Sequence, residues 1–475
     1  MTAPVTATGT ATATATAPVT GAAVTAPAAP GADWAPQPVW SGSPEEDARA
    51  LAQLAAAGEK ALSELPSKPG RDAEQQRLAD RVHHVCRRAR DGFLARHAEH
   101  VYGAVTDGLR RRPRLTELAL AAAARFPGLV PDEALLAAEE GLTQAEKEGR
   151  EIDQGLFFAA VLRSPLAGPH LLETMLLPTA RALELADRFR TTGSVRAGAV
   201  LVERVDGAAY LTVENPDCLN AEDNGLIDDM ETAVDLALLD ERVRVGVLRG
   251  GVMSHPRYAG RRVFSAGINL KHLHEGRISY TEFLLRRELG YISKIYRGLR
   301  PADATAEAAV WPHRRVHKPW VAAVDTFAIG GGAQLLLVFD HVLGAADSWF
   351  SLPAAQEGIV PGAGNFRLGR HTGSRLARRI LLSGAKVRAS SPEAPLLFDE
   401  VVEPEAMDAA LADAVRRLDS PAVEANRRIL HAVEEPDDAF RAYMAEFALE
   451  QALRLYGADV IAKVGRRAGR TAEAS

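Results

Sequence analysis

Three consecutive glycines, Gly330-Gly331-Gly332, constrain the backbone more tightly than any other feature of this chain. Before them Trp320-Val321-Ala322-Ala323-Val324 reads as a buried strand, and after them Ala333-Gln334-Leu335-Leu336-Leu337 reads as the opening of a helix. Such a turn leaves backbone N–H groups bare at the positive end of a helix dipole. They can hold an anion, or an oxygen that becomes one during a reaction. A second glycine turn, Ser265-Ala266-Gly267-Ile268-Asn269, supplies the other donor that a two-point oxyanion hole needs.

The 475 residues are too many for one ordinary core and enough for two domains with tails. Apolar residues make up 47% of the chain and the formal net charge is only −6, a balance that favours neither nucleic acid nor an anionic membrane as partner. Cys86 and Cys218 are far apart and form no CxxC spacing, which argues against a disulfide framework or a structural zinc site and fits a reducing cytoplasm. Residues 1–36 are almost wholly Ala, Thr, Pro, Val and Gly, with no charged side chain before Asp33. They bury too little to offset chain entropy and lack the basic start of a secretion signal, so a disordered tail is expected. No apolar run approaches the roughly 20 residues a spanning helix needs.

Ser43-Pro44-Glu45-Glu46 has the form of a capping box with proline at the first helical position, followed by Ala48, Leu51, Leu54 and Ala55 at helical spacing. The helical pattern persists through residues 37–192, with breaks at Pro127-Gly128, Pro131 and Gly168-Pro169, and predicts an all-helical N-terminal domain. From residue 193 the period changes. Ala199–Val205 and Ala208–Val213, joined at Asp206-Gly207, read as a hairpin; a helix over Ala221–Leu239 and a strand over Val243–Arg249 follow. Strands alternating with helices over 193–435 predict an α/β core with right-handed crossovers. Residues 436–475 read as a helical segment and tail, with Phe440, Tyr443, Phe447 and Leu453 as the apolar face.

The order Phe264-Ser265-Ala266-Gly267-Ile268-Asn269-Leu270-Lys271, then His317-Lys318-Pro319-Trp320-Val321-Ala322-Ala323-Val324, then the glycine triplet, then Gly358-Ile359-Val360-Pro361-Gly362-Ala363-Gly364, resembles the crotonase (enoyl-CoA hydratase/isomerase) superfamily over roughly residues 196–465. The resemblance implies a ββα spiral core, an acyl-CoA thioester as substrate, and an enolate held by two backbone N–H groups, those of Ile268 and Gly331. It also implies that the C-terminal helices pack on a neighbouring subunit, giving a homo-oligomer, a trimer or a dimer of trimers. The helical N-terminal domain is an addition that most superfamily members lack. So is part of the stretch between Ile268 and Gly331, whose extra length includes Arg286-Arg287 and the polar segment 301–315 and would shape the acyl end of the pocket.

Hydratases of the superfamily add water with two glutamates; here those positions carry Gln334 and Ala354, while Glu357 lies three positions beyond the second. A carboxamide is no general base and a methyl group moves no proton, so the hydratase pair is absent. The helical addition, the Ala-Gly-Ile turn, the glutamine and the missing glutamates together resemble the branch of the superfamily that dioxygenates aryl-acetyl-CoA thioesters without metal or organic cofactor. That resemblance implies conversion of 3,5-dihydroxyphenylacetyl-CoA and O2 to 3,5-dihydroxyphenylglyoxylate and CoA, on the way to the 3,5-dihydroxyphenylglycine of glycopeptide-type antibiotics.

Under that reading Gln334 reaches the reacting α-carbon or a peroxide, Glu222 accepts from a ring hydroxyl, Arg287 sits over the ring, and Ile359 lines the oxygen pocket. Ala266, Gly267, Asn269 and Gly330 shape the substrate turns. Arg257, Arg262 and Lys271, with Arg261, meet the coenzyme A moiety, and Tyr258 counts among the substrate-binding residues. The plain alternatives are a capping amide for Gln334, a dipole-favoured acid at a helix start for Glu222, Arg286 in place of Arg287, a core side chain for Ile359 and a solvated basic loop. His313 and His317, like His83-His84 and His272/His274, have no partner set for a metal. Another acyl-CoA enzyme of the superfamily (isomerase, thioesterase or decarboxylase) and a non-catalytic acyl-CoA-binding scaffold stand as alternatives.

Overall fold

The computed structural model describes residues 34–302 and 315–472. Nearly all of the expected tail, most of the polar segment 301–315, and His313 lie outside the described residues.

Seven helices come first: α1 (Pro44–Ser63), α2 (Ala73–Val105), α3 (Leu115–Arg125), α4 (Glu133–Ala137), α5 (Glu151–Arg163), α6 (Ala167–Met175) and α7 (Ala180–Thr192). Ser43 caps α1 by accepting from the Glu46 amide, with Pro44 at the first position, so half of the expected box forms. A complete reciprocal box forms at the start of the next helix, between Asp72 and Gln75 of α2. Helix α7 ends on Gly193 in the left-handed region, which releases the chain into strands.

Strands β1 (Ser194–Ala197), β2 (Val200–Val205) and β3 (Ala208–Val213) run antiparallel, and the second turn is the expected Asp206-Gly207. Helix α8 (Asn224–Leu239) then crosses to β4 (Val245–Gly250), parallel to β3. Strands β5 (Trp320–Val324), β7 (His341–Ala345) and β10 (Glu400–Val402) extend the parallel half, giving the order β1-β2-β3-β4-β5-β7-β10. A second sheet of β6 (Phe327–Ile329), β8 (Trp349–Ser351) and β9 (Lys386–Arg388) stands beside it. This is the ββα spiral.

Between Ile268 and β5 the backbone runs through two π-helical segments, Tyr280–Leu285 and Glu288–Ile292, with non-helical dihedrals at Gly290. Periodicity gives no warning of them. π-Turns re-aim side chains, and they recur at functional sites.

One apolar core joins Phe93 and Phe157 of the helical part, Val202 and Leu211 of the sheet, and Phe440 and Phe447 of the helix Asp437–Leu455. That last helix lies along α5 so closely that a methyl group on Gly155 would stand 2.6 Å from Cβ of Ala452. It therefore packs within its own chain. Its buried face is Phe440, Met444, Phe447, Ala448 and Leu455; Leu453, expected on that face, is 44% exposed. Among the described residues no single helix is long and apolar enough to cross a membrane.

Candidate active site

Two extended segments carry the glycine turns into contact. Glu222 N–H donates to Gly267 O (2.7 Å) and Asn269 N–H to Glu222 O (2.8 Å), so the Ile268 amide between them faces away from its neighbour. On the other side Ile329 N–H donates to Ser265 O (3.0 Å) and Gly330 N–H to Ser351 O (2.8 Å), which leaves the Gly331 amide as the first donor of the helix Gly331–Leu335. Neither the Ile268 nor the Gly331 amide donates to another group of the described protein. The turns are in contact: a methyl group on Gly267, whose φ is +83°, would stand 3.1 Å from Gly331 N. Two bare amides on touching turns are the arrangement that an oxyanion hole requires.

They open on a cavity of about 100 Å³ walled by Ala266, Ile268, Phe283, Ile359 and Phe447, with Glu222, Arg287, Glu288, Gln334, Ala354 and Glu357 as further lining. Both positions where hydratases hold glutamates are therefore on this wall, as Gln334 and Ala354. Glu357 lines it too, at the end of the short helix Ala354–Glu357.

Arg287, between the two π segments, occupies the centre of the polar wall. Its Nε donates to Glu222 (3.0 Å to Oε2), Nη1 to Glu288 Oε1 (2.8 Å) and to Gln334 Oε1, and Nη2 to Gly331 O (2.6 Å). Burial alone would lower the proton affinity of its guanidinium, but Glu222, Tyr291 and Glu288 hold it well above its ordinary value. Tyr291 donates to Glu222 Oε1 (2.8 Å); burial pushes its phenol up, so it stays a neutral donor. Gln334 Nε2 donates to Glu288 Oε2 (2.9 Å), and Ala363 N–H donates to the same oxygen (3.1 Å).

This geometry separates several alternatives. Arg286 points away from the cavity, paired with Glu231, Asp228 and Glu282. The cap of α8 is Asp223, which accepts from Leu226 N–H (3.0 Å), so Glu222 is free of that duty and faces Arg287. Gln334 spends its amide on side chains rather than on a helix end. Asn269 contributes only backbone, since its side chain caps the helix Leu270–His274. The basic group expected at coenzyme A lies outside the cavity lining: Arg262 pairs with Asp408 (2.9 Å), Arg261 with Asp347 (2.5 Å), Arg257 lies over Tyr258, and Lys271 is an exposed side chain 3.9 Å from Glu275.

Sequence reasoning missed Glu288, Tyr291, Phe447 and Gln451. The first two had a signal: a charged triplet, Arg286-Arg287-Glu288, inside the apolar run Phe283–Ile292. Gln451 had none; it is buried and accepts from Val360 N–H (2.8 Å), tying the C-terminal helix to the cavity wall. Among the described residues no group of His, Cys, Asp and Glu could hold a metal ion.

A ββα spiral with a two-amide oxyanion hole defines an acyl-CoA-handling fold, and the enoyl-CoA hydratase/isomerase family model matches residues 305–455. The chain belongs to that family, the crotonase superfamily. It is 60% identical over 428 residues to the (3,5-dihydroxyphenyl)acetyl-CoA 1,2-dioxygenase of Amycolatopsis orientalis, covering 90% of this chain and 97% of that one. It is 28% identical over 204 residues to the 2,3-dehydroadipyl-CoA hydratase of Escherichia coli (strain K12), covering 42% of this chain and 68% of that one. A solved enoyl-CoA hydratase/isomerase from Pseudoalteromonas atlantica T6c superposes with a TM-score of 0.47 at 20% identity, covering 57% of this chain and 98% of that one.

Proposed function

We propose that this protein is a dioxygenase that converts (3,5-dihydroxyphenyl)acetyl-CoA and O2 to 3,5-dihydroxyphenylglyoxylate and CoA, without metal or organic cofactor. The observation that carries the reading is the cavity wall, where a hydratase-type oxyanion hole faces Gln334 and Ala354 in place of the two glutamates. The relative of that printed activity, alike over nearly its whole length, supports it.

The chemistry needs little from the protein beyond electrostatics and placement. Loss of one α-proton from the thioester gives an enolate, whose oxygen the Ile268 and Gly331 amides hold. The electron-rich aryl ring spreads the charge, and the carbanion passes one electron to O2. Recombination forms a C–O bond and an α-peroxide. The distal oxygen attacks the thioester carbonyl and expels the CoA thiolate. Loss of the second α-proton with O–O cleavage leaves ketone and carboxylate, so both oxygen atoms end in the product. In this reading Glu222 and Arg287, both in the cavity lining, receive the ring hydroxyls, and Ile359 and Phe447 keep one side of the cavity apolar for a small gas.

We read the active form as a homo-oligomer, a trimer or a dimer of trimers, in the cytoplasm. Ile429, Leu430 and Val433 on the helix Pro421–Glu434 are 70%, 54% and 75% exposed, an apolar stripe that a second copy would cover. Sedimentation of the purified protein as a monomer would sink that part.

The decisive test is oxygen uptake by metal-stripped protein given (3,5-dihydroxyphenyl)acetyl-CoA. Uptake matched by CoA release and glyoxylate supports the reading. Equal CoA release under argon makes the protein a thioesterase.

A further inference from the structure

Glu288 is 1% exposed, lines the cavity and belongs to no motif of the chain. Its carboxylate receives three donors: Arg287 Nη1 at 2.8 Å on Oε1, and Gln334 Nε2 at 2.9 Å and Ala363 N–H at 3.1 Å on Oε2. Room for it comes from Gly362, where φ is +47° and a methyl group would overlap Oε1. The glycine of the Pro-Gly-Ala-Gly turn and the following amide thus form a seat for this side chain.

The partners of Gln334 decide which way its amide faces. Oxygen Oε1 meets a guanidinium and Nε2 meets a carboxylate. Turned over, the amide would put its N–H groups against the Arg287 donors and its oxygen against Glu288, two repulsive contacts in a buried site. In the observed orientation Glu288 takes one of the two Nε2 hydrogens, and the other has no acceptor among the described residues. Because Gln334 lines the cavity, that hydrogen is the one polar donor its side chain retains for a bound group.

We propose that Glu288 is a positioning residue for the oxygen-dependent half of the reaction: it fixes the Gln334 amide so that its remaining N–H is held ready for the oxygen that becomes negatively charged when the carbanion combines with O2. This rests on the dioxygenase reading above. Glu288 itself is poorly set to remove the α-proton, because Arg287, Gln334 and the Ala363 amide already occupy its oxygens. The Ile268 and Gly331 amides stabilise the enolate before O2 reacts, and the Gln334 N–H acts after it.

The test separates the two halves. Exchange of the α-proton of (3,5-dihydroxyphenyl)acetyl-CoA into deuterated solvent under argon reports enolate formation, and oxygen uptake reports the whole reaction. In Glu288→Gln, whose amide can pair with Gln334 in either orientation, we expect oxygen uptake to fall by about tenfold or more, as for loss of one aligned donor, with exchange and KM within about threefold of the parent enzyme. In Gln334→Met the same uptake loss is expected, and adding Glu288→Gln to it should cost little more, since one residue acts through the other. If Glu288→Gln does not fold, Glu288→Asp, one methylene short of Gln334, carries the same cycle. Equal loss of exchange and uptake, or losses that multiply in the double variant, would overturn the proposal. Parent enzyme that exchanges the α-proton but takes up no oxygen would instead remove the dioxygenase reading on which it rests.

Discussion

Glu222 packs its carboxylate against Gly331 so closely that no side chain fits between them: a methyl group there would overlap Oε2. The carboxylate cannot swing aside, because Arg287 and Tyr291 both hold it. Under the function proposed above, one glycine thus serves two ends of the substrate, offering its N–H to the thioester oxygen and its bare α-carbon to the group that meets the ring. Gly331→Ala keeps the donor and displaces the ring contact, whereas Gly331→Pro removes the donor. For Gly331→Pro we expect α-proton exchange to drop on the order of 10²–10³-fold, the cost of one oxyanion donor. For Gly331→Ala exchange should survive better while KM for the aryl substrate rises. If the two variants lose exchange equally, the division of labour at Gly331 is wrong.

Arg287 pairs with two buried carboxylates at once, Glu222 and Glu288, each with its side chain almost wholly buried. Arg287→Met leaves both unpaired, and breaking a buried pair costs about 3–5 kcal/mol. Arg287→Lys restores the charge but not the fork that reaches Glu222, Glu288, Gln334 and Gly331 O together. Chemical denaturation should show a clear fall in stability for the methionine variant, with partial recovery in the lysine variant and little recovery of turnover. An unchanged unfolding midpoint in Arg287→Met would show that the network contributes nothing to the fold.

Much of this framework was legible in the sequence. The Asp206-Gly207 hairpin, α8, β4 and the bare amides of Ile268 and Gly331 all rest on local signals: turn chemistry, period, or glycine where a side chain cannot fit. What was not legible depends on distant packing. The helix after the triplet is only Gly331–Leu335, because the chain must turn at once into β7. The π segments that aim Arg287 inward and Arg286 outward leave no trace in a 3.6-residue period. The C-terminal helix reads as amphipathic on any partner; that it lies on α5 and lends Phe447 and Gln451 to the cavity follows only from the close approach at Gly155.

Acid should also act at a carboxylate outside the cavity lining. Burial alone would raise Glu435, but Arg367, Arg297 and Arg370 around it hold its carboxyl at about 2, against 4.5 for an ordinary glutamate. A folded-state value below the unfolded one means stability that is present above pH 4.5 and lost as pH falls toward 2, worth on the order of 3 kcal/mol. Glu435→Gln should lower the melting temperature at neutral pH and flatten its fall between pH 4.5 and 2. A variant whose acid limb keeps the parent slope would assign that limb to other groups.

Chelation should leave turnover intact. The proposed reaction takes its electrons from the enolate and its charge stabilisation from the Ile268 and Gly331 amides and the Gln334 N–H, so exhaustive treatment with a strong chelator is expected to change the oxygen-uptake rate by less than about twofold. A stoichiometric metal, whose removal abolishes uptake and whose return restores it, would end the cofactor-independent reading.

Gln334→Glu tests the site most sharply, because it returns one hydratase carboxylate while Ala354 still withholds the other. The new carboxylate would stand where Gln334 Nε2 now donates to Glu288 across 2.9 Å, so it exchanges an attraction for a repulsion between like charges. Arg287 touches both positions and offsets part of that cost, so the fold should persist. Chemistry should not. A negative charge beside the α-carbon opposes the carbanion and the peroxide that follows, and oxygen uptake is expected to fall by at least about tenfold, roughly 1.4 kcal/mol of barrier. Hydration of crotonyl-CoA should remain undetectable, since a single carboxylate cannot both deprotonate water and deliver a proton to the α-carbon. Oxygen uptake and CoA release on the aryl substrate, run beside crotonyl-CoA hydration, measure both halves. Parent-level uptake in the variant would place Gln334 outside the reacting centre, and with it would go the role assigned to Glu288.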